Sequence, residues 1–130
     1  MISRRAALSL IVFAAVSGAA SGIAAEKRAF DWGTFDAAAE AGRPILIEVS
    51  APWCPTCHRQ KPIIAELLQQ PEFADLIVLE IDFDTKKDIL RKFGVRQQAT
   101  LIAYKGRTEV GRAVGITKRA SIFELAGRAL

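Results

Sequence analysis

Two cysteines separated by two residues carry the most specific chemistry in the sequence. They lie in the run WCPTCH, residues 53–58, at the predicted start of a helix. Residues three apart on a helix share a face, so the thiols of Cys54 and Cys57 lie close enough to form a disulfide. At the helix start, free N–H groups and the helix dipole favour the thiolate of Cys54. The pattern predicts that one thiol attacks a disulfide and the other resolves the mixed disulfide.

Three other uses of the pair depend on what else the sequence contains. A static disulfide closing so small a loop would remove only about 2 kcal/mol of chain entropy, a weak structural motive. A zinc site would need a second Cys or His pair, which the sequence lacks. Residues 54–58 also match the C-x-x-C-H motif of haem attachment. His58 is the only histidine and Met1 the only methionine, so a second axial ligand is missing.

Alternating strands and helices must position the cysteines. Residues 45–50 form a near-continuous apolar run, typical of a strand buried on both faces. Thr85 is a candidate N-cap and Gly94 a candidate C-terminal glycine, while Ser121 and Glu124 could form a capping box. The predicted strands are residues 30–32, 45–50, 76–81, 100–104 and 108–114, the last two joined by a hairpin at 105–107. The predicted helices are residues 34–41, 54–69, 85–93 and a final one containing Ile122, Leu125, Ala126 and Ala129. The order β-α-β-α-β-α-β-β-α predicts an α/β domain.

Length and composition restrict the class of protein. The chain has 130 residues, of which 51% are hydrophobic and 25% charged, as expected for one globular domain. Two cysteines exclude a disulfide-dense miniprotein. The net charge is +4, but the first 24 residues contain Arg4 and Arg5 and no acid. The remaining basic residues are interspersed with acids, so we expect no nucleic-acid partner.

The first 25 residues have the pattern of a signal peptide. A short positive start is followed by an apolar run of about 15 residues and then by small residues. Cleavage after Ala24 or Ala25 fits the pattern, and residues 26–130 would then form the mature domain. An uncleaved membrane anchor is the alternative. Export predicts a periplasmic location, an oxidising compartment for the cysteine pair.

The residues around the cysteines resemble the thioredoxin family. The likeness rests on a buried strand followed by APWCPTC at residues 51–57, and it extends over residues 30–130. Further matching positions are Pro62, Asp82, Gly94-Val95, Thr100-Leu101 and Gly106. The sequence is most similar to exported thioredoxin-like proteins such as the periplasmic reductase branch. The resemblance implies a thioredoxin fold, a central mixed β-sheet flanked by helices in a single domain.

The resemblance also implies roles for the site residues. Cys54 would be the catalytic nucleophile and Cys57 the resolving thiol, with no cofactor beyond their disulfide. Trp53 would be a flat apolar platform beside them, and Pro55 and Thr56 would belong to the substrate-binding surface. Ordinary packing is the alternative role of Trp53.

Two further positions bear on the cysteines. Glu48 falls where the family carries a buried acid behind the second cysteine, and it interrupts an apolar strand. Burial would raise the pKa of this carboxyl group, which could then take a proton from Cys57. The alternative is an acid at a strand end that reaches water. His58 could modulate Cys54 electrostatically, or it could be a solvated histidine on the helix surface.

Ala99 departs from the family pattern. The family places a cis-proline immediately before the strand that starts here at Thr100, where it faces the cysteines and helps to dock the substrate backbone. A cis peptide before alanine costs roughly 3–4 kcal/mol, so we expect this bond to be trans. Without the proline ring the sulfurs would be less shielded. An opened pair could bind a soft metal or share an iron–sulfur cluster between two chains.

The sequence therefore predicts an exported thiol–disulfide oxidoreductase that acts as a reductase of protein disulfides. Its partners would be protein thiols and disulfides and a membrane electron donor of the disulfide-reductase type, and the chain would be a monomer. The alternatives are a disulfide oxidant or isomerase and a non-catalytic module that binds a metal or cluster.

Overall fold

The computed structural model describes residues 24–130, so most of the predicted signal peptide, residues 1–23, lies outside the described part of the chain. The strands are β1 (Glu26–Ala29), β2 (Pro44–Ser50), β3 (Ile77–Asp82), β4 (Thr100–Lys105) and β5 (Thr108–Val114). The helices are α1 (Trp32–Glu40), α2 (Pro55–Leu67), α3 (Lys87–Phe93) and α4 (Arg119–Gly127), with a short 3₁₀ helix at Pro71–Phe73. Within residues 24–130, no helix combines the length and the apolar character that crossing a bilayer requires.

The five strands form one mixed sheet in the order β1-β3-β2-β4-β5. β3 pairs in parallel with both β1 and β2, whereas β4 pairs antiparallel with β2 and β5. β2 is buried along its whole length, as its apolar run predicts. The predicted fold class and element order are therefore confirmed.

Helices cover both faces of the sheet. One face packs against α1 and α3, and the other against α2 and α4. Successive residues of a strand point to opposite faces, so β2 contributes to both cores. The first core includes Phe35, Ile47, Ile81, Phe93 and Ile102, and the second includes Leu46, Ile64, Val78, Leu101 and Ile122. The second core fixes α2 over the β2 strand that precedes the cysteines.

Three local predictions were wrong. The first strand comprises Glu26–Ala29 rather than residues 30–32, because the Asp31 carboxylate accepts the N–H of Gly33 and starts α1. Thr85 precedes α3, whose N-cap is Lys86 with no side-chain hydrogen bond. Ser121 lies inside α4, which begins at Arg119, so it forms no capping box. By contrast, Gly94 ends α3 in the left-handed conformation, as predicted.

Candidate functional site

Cys54 and Cys57 form a disulfide at the start of α2, with their Cα atoms 5.3 Å apart. Cys54 is the N-cap, and its Sγ accepts a hydrogen bond of 3.1 Å from the backbone N–H of Cys57. Pro55 occupies the first turn, where its missing N–H has no helical partner to lose. Both cysteines are 1% exposed. A thiolate formed at Cys54 on reduction would be stabilised by the same N–H group and by the helix dipole.

Trp53 lies beside the buried sulfurs and is 56% exposed. Its indole Nε1 donates to the carboxylate of Asp84, 2.9 Å from Oδ2. Its ring approaches that of Phe83, with the centroids 6.4 Å apart, and Phe83 packs against the cysteine cluster. This hydrogen bond holds a large apolar surface open to solvent next to the disulfide.

The other residues of the motif face outward. Pro55 is exposed and Thr56 is half-buried. His58 is exposed, and its Nε2 lies 2.8 Å from the carbonyl oxygen of Pro52. The histidine thus braces the loop before Cys54, and the structure records this contact rather than one with a sulfur.

Glu48 lies on the face of β2 that α2 covers, and it is 1% exposed. Its carboxylate accepts hydrogen bonds from Lys27 (3.1 Å) and Lys61 (3.4 Å). Glu80 is its partner across β2 and β3, and it bonds the same two lysines at 2.9 and 2.7 Å. Two carboxylates and two ammonium groups therefore form one compensated cluster. The sequence predicts burial of Glu48 correctly but gives no sign of its lysine partners.

Contacts within this cluster shift the pKa values of Glu80 and Lys27. Burial acts to raise the pKa of Glu80, but the hydrogen bonds and charges of Lys61 and Lys27 outweigh it and lower that pKa to about 2. Burial acts to lower the pKa of Lys27, and its bonds to Glu48 and Glu80 outweigh that effect and raise it. Glu48 of this cluster directly precedes Val49, whose carbonyl oxygen is 3.9 Å from the Sγ of Cys57.

Ala99 packs directly against the disulfide and is 3% exposed. As predicted, the peptide bond before it is trans, and the described residues contain no cis bond. Its φ of 59° lies in the left-handed region that non-glycine residues rarely adopt. Its N–H donates to the oxygen of Val49 (2.9 Å), and its carbonyl oxygen accepts the N–H of Gly115 (2.9 Å). Neighbouring elements thus fix both backbone groups of this turn.

Gln60 is a site residue that sequence reasoning missed. It lies one helical turn after Cys57 and is 1% exposed. Its Nε2 donates to the carbonyl oxygens of Ala99 (3.2 Å) and Ile116 (2.9 Å). Its Oε1 has no hydrogen-bond partner in the described part of the chain. In the sequence, the only indication of this role is that a glutamine lies on the apolar side of the predicted helix.

The residues present fit a disulfide better than a metal or haem. Within residues 24–130 no group of three or more His, Cys, Asp or Glu side chains is arranged to hold an ion. The two sulfurs are buried and bonded to each other, and His58 contacts Pro52. The redox group of the site is the Cys54–Cys57 pair itself.

Comparisons with known proteins agree with this geometry. The family model described as Thioredoxin matches residues 27–127. A thioredoxin H-type from Brassica campestris is 30% identical over 89 residues, 68% of this chain and 71% of the relative. Thioredoxin 1 from Nostoc sp. is 29% identical over 81 residues, 62% of this chain and 75% of the relative. The crystal structure of Trxlp from Edwardsiella tarda has a TM-score of 0.74 at 37% identity, covering 76% of this chain and 96% of that one.

Proposed function

The chain belongs to the thioredoxin family, and from this premise we propose that it is an exported reductase of protein disulfides. As a thiol–disulfide oxidoreductase it exchanges with protein thiols and disulfides through Cys54 and Cys57. The observation that carries the proposal is the N-cap position of Cys54, whose sulfur accepts the N–H of Cys57 at 3.1 Å. That bond stabilises the attacking thiolate.

The reaction transfers two electrons and two protons from the protein dithiol to the substrate disulfide. The Cys54 thiolate attacks one substrate sulfur, the substrate S–S bond breaks, and the departing sulfur takes up a proton. Cys57 then loses its proton and attacks the sulfur of Cys54. The mixed disulfide breaks, the second substrate thiol leaves with a proton, and the Cys54–Cys57 disulfide forms. Glu48, buried and adjacent to Val49, is the proposed acceptor of the Cys57 proton.

Trapping the mixed disulfide tests the assignment of the two cysteines. Cys57→Ser leaves the nucleophile but removes the resolving thiol, so covalent adducts with partner proteins should accumulate. Cys54→Ser is the matched control and should trap none. Adducts on the Cys54→Ser variant instead would reverse the two roles.

The direction of electron flow is proposed from the family likeness, and the reduction potential tests it. A value near the thioredoxin end, about −270 mV, would support a reductase supplied by an electron donor in the membrane. A value near about −120 mV would make the protein an oxidant. Equilibration of the full-length protein with glutathione or dithiothreitol buffers gives this value.

The periplasmic location is proposed from the pattern of residues 1–25. The test is cell fractionation of the full-length chain followed by N-terminal sequencing. Protein starting at residue 25 or 26 in the periplasmic fraction is the expected result. Protein retained in the membrane with Met1 intact would support an anchor, and protein in the cytoplasm would contradict export.

A further inference from the structure

Four segments leave the sheet at the same edge as the disulfide. β2 and β3 run in parallel and end together, with Ser50 opposite Asp82. β4 begins where β5 ends, with Thr100 opposite Val114, and β4 pairs antiparallel with β2. Residues 51–54, 83–87, 95–99 and 115–118 therefore lie at one edge, which we call the cysteine edge.

Three of these four segments carry exposed, positively charged side chains. They are Lys86, Lys87, Arg96 and Lys118. Within residues 24–130 none of them takes part in an ion pair. Asp82 and Asp84 lie beside these cations and accept hydrogen bonds from neutral donors, the N–H groups of residues 84 and 85 and the indole of Trp53, so both keep their negative charge. Four cations against two carboxylates leave the cysteine edge with a net positive charge.

Cations at the opposite edge of the sheet are held differently. Arg43 pairs with Glu26 at 3.3 Å, and Arg107 pairs with Asp36 at 3.1 Å. Lys105 is exposed there too, at the start of the hairpin and opposite Pro44 in the register. Two of these three cations are thus paired with acids, whereas in the described part of the chain none of the four at the cysteine edge is.

One of these cations joins the aromatic surface beside Cys54. The Nζ of Lys87 lies 3.6 Å from the ring centroid of Phe83, and Phe83 packs against both the cysteine cluster and Trp53. Charge and exposed apolar area thus form one continuous surface up to the buried sulfurs. A partner seated on Trp53 brings its flanking residues within reach of Lys86 and Lys87.

We propose that the cysteine edge selects partner proteins whose disulfide is flanked by aspartate and glutamate. The inference deepens the proposed function and rests on it. The exchange is the one described above, with the partner disulfide reduced and Cys54–Cys57 oxidised. The cations attract the acidic segment before contact, which raises the association rate, and Trp53 supplies the apolar contact.

Two synthetic peptides test the proposal with the reduced full-length protein. They share the same disulfide loop but carry three glutamates or three lysines beside it. The second-order rate constant of each is divided by its rate constant with dithiothreitol, which removes intrinsic differences in disulfide reactivity. At about 20 mM salt the acidic peptide should react roughly tenfold faster or more, and at about 1 M salt the two should converge.

Charge reversal locates the effect. Lys86→Glu combined with Lys87→Glu should remove or reverse the preference at low salt. Lys105→Glu, at the opposite edge, is compared with Lys87→Glu alone, because each single reversal changes the charge equally; Lys105→Glu should leave the preference intact. Equal rates for the two peptides in the wild-type protein, or equal effects of the two sets of variants, would overturn the proposal.

Failure of the proposed function gives a different result. If neither peptide is reduced, the reductase assignment fails. Whether the cysteine edge prefers acidic partners is then tested separately, by the binding of peptides with serine in place of cysteine to the oxidised protein. Tighter binding of the acidic version, detected by Trp fluorescence and lost in the Lys86/Lys87 variant, would support the surface. Equal binding would overturn it.

Discussion

The side chain of Gln60 holds Ala99 against the disulfide through a hydrogen bond of 3.2 Å from Nε2 to the Ala99 carbonyl oxygen. The same nitrogen donates to Ile116, so one buried amide ties together the segments before β4 and after β5. Ala99 packs against the sulfurs. The shape of the surface around the disulfide therefore depends on a helix residue that is itself buried.

Replacing Gln60 with methionine, which is similar in size, should lower the free energy of unfolding by about 1–3 kcal/mol, because buried carbonyl oxygens lose their donor. Chemical denaturation measures the change. Gln70→Met is the matched control, since the Gln70 amide donates to the carbonyl of Glu66 at 3.3 Å in a half-buried position away from the site. Equal losses in the two variants would contradict the specific role of Gln60.

Replacing Ala99 with proline, the residue of the family pattern, should destabilise this protein. Proline removes the N–H that donates to Val49 and cannot adopt a φ of 59°. We expect a loss of about 3 kcal/mol or more from the unsatisfied carbonyl and the displaced backbone. Ala99→Gly, which tolerates this φ, should change stability by no more than about 1 kcal/mol. Denaturation curves in which Ala99→Pro matches the wild type would show that the turn can rearrange.

Acid should weaken the fold through Glu80. Its folded-state pKa of about 2 lies below the ordinary value of 4.5, so its stabilising contribution is complete above about pH 4.5 and is lost as the pH falls towards 2. Because the side chain is one-third exposed, screening limits the loss to about 1–2 kcal/mol.

Glu80→Gln should flatten the pH dependence of stability in that window. Glu72→Gln, at an exposed residue on the 3₁₀ helix, is the control and should keep the wild-type slope. Denaturation at several pH values between 2 and 5 gives the slopes, and an unchanged slope in Glu80→Gln would exclude this carboxylate as the source.

Glu48→Gln should slow resolution of the mixed disulfide by about 10²-fold while leaving attack by Cys54 unchanged, because only resolution needs a proton acceptor for Cys57. Rapid-mixing kinetics separate the two steps. Glu80→Gln changes a neighbouring carboxylate of the same cluster and serves as the control. A resolution rate equal in both variants would assign the proton to solvent instead.

The element order could be predicted because the buried strands have continuous apolar runs and the helices repeat apolar residues at helical spacing. The first strand was misplaced because β1 is polar and largely exposed, so Glu26–Ala29 has no apolar periodicity. The aromatic residues that follow it pack around α1 and α3 instead. Periodicity identifies strands that are buried, and it fails at a polar edge.

The site could be predicted where its chemistry is local. Cys54 and Cys57 lie in one turn, and the burial of Glu48 follows from its apolar neighbours. Lys61 and Gln60 could not be assigned, because their partners are 11 to 56 residues away in the sequence. The positive φ of Ala99 likewise results from hydrogen bonds to three separate elements.

The polar side chains of β1, which left its sequence without an apolar pattern, also affect the tendency of the protein to aggregate. β1 and β5 are the outer strands of the sheet, and each has one side without a strand partner. Such strands can recruit another chain by backbone pairing, and charged side chains oppose this. Glu26, Lys27 and Arg28 occupy β1, while Glu109 and Arg112 occupy β5. The charged side chains on both outer strands thus oppose the addition of a further strand at either side of the sheet.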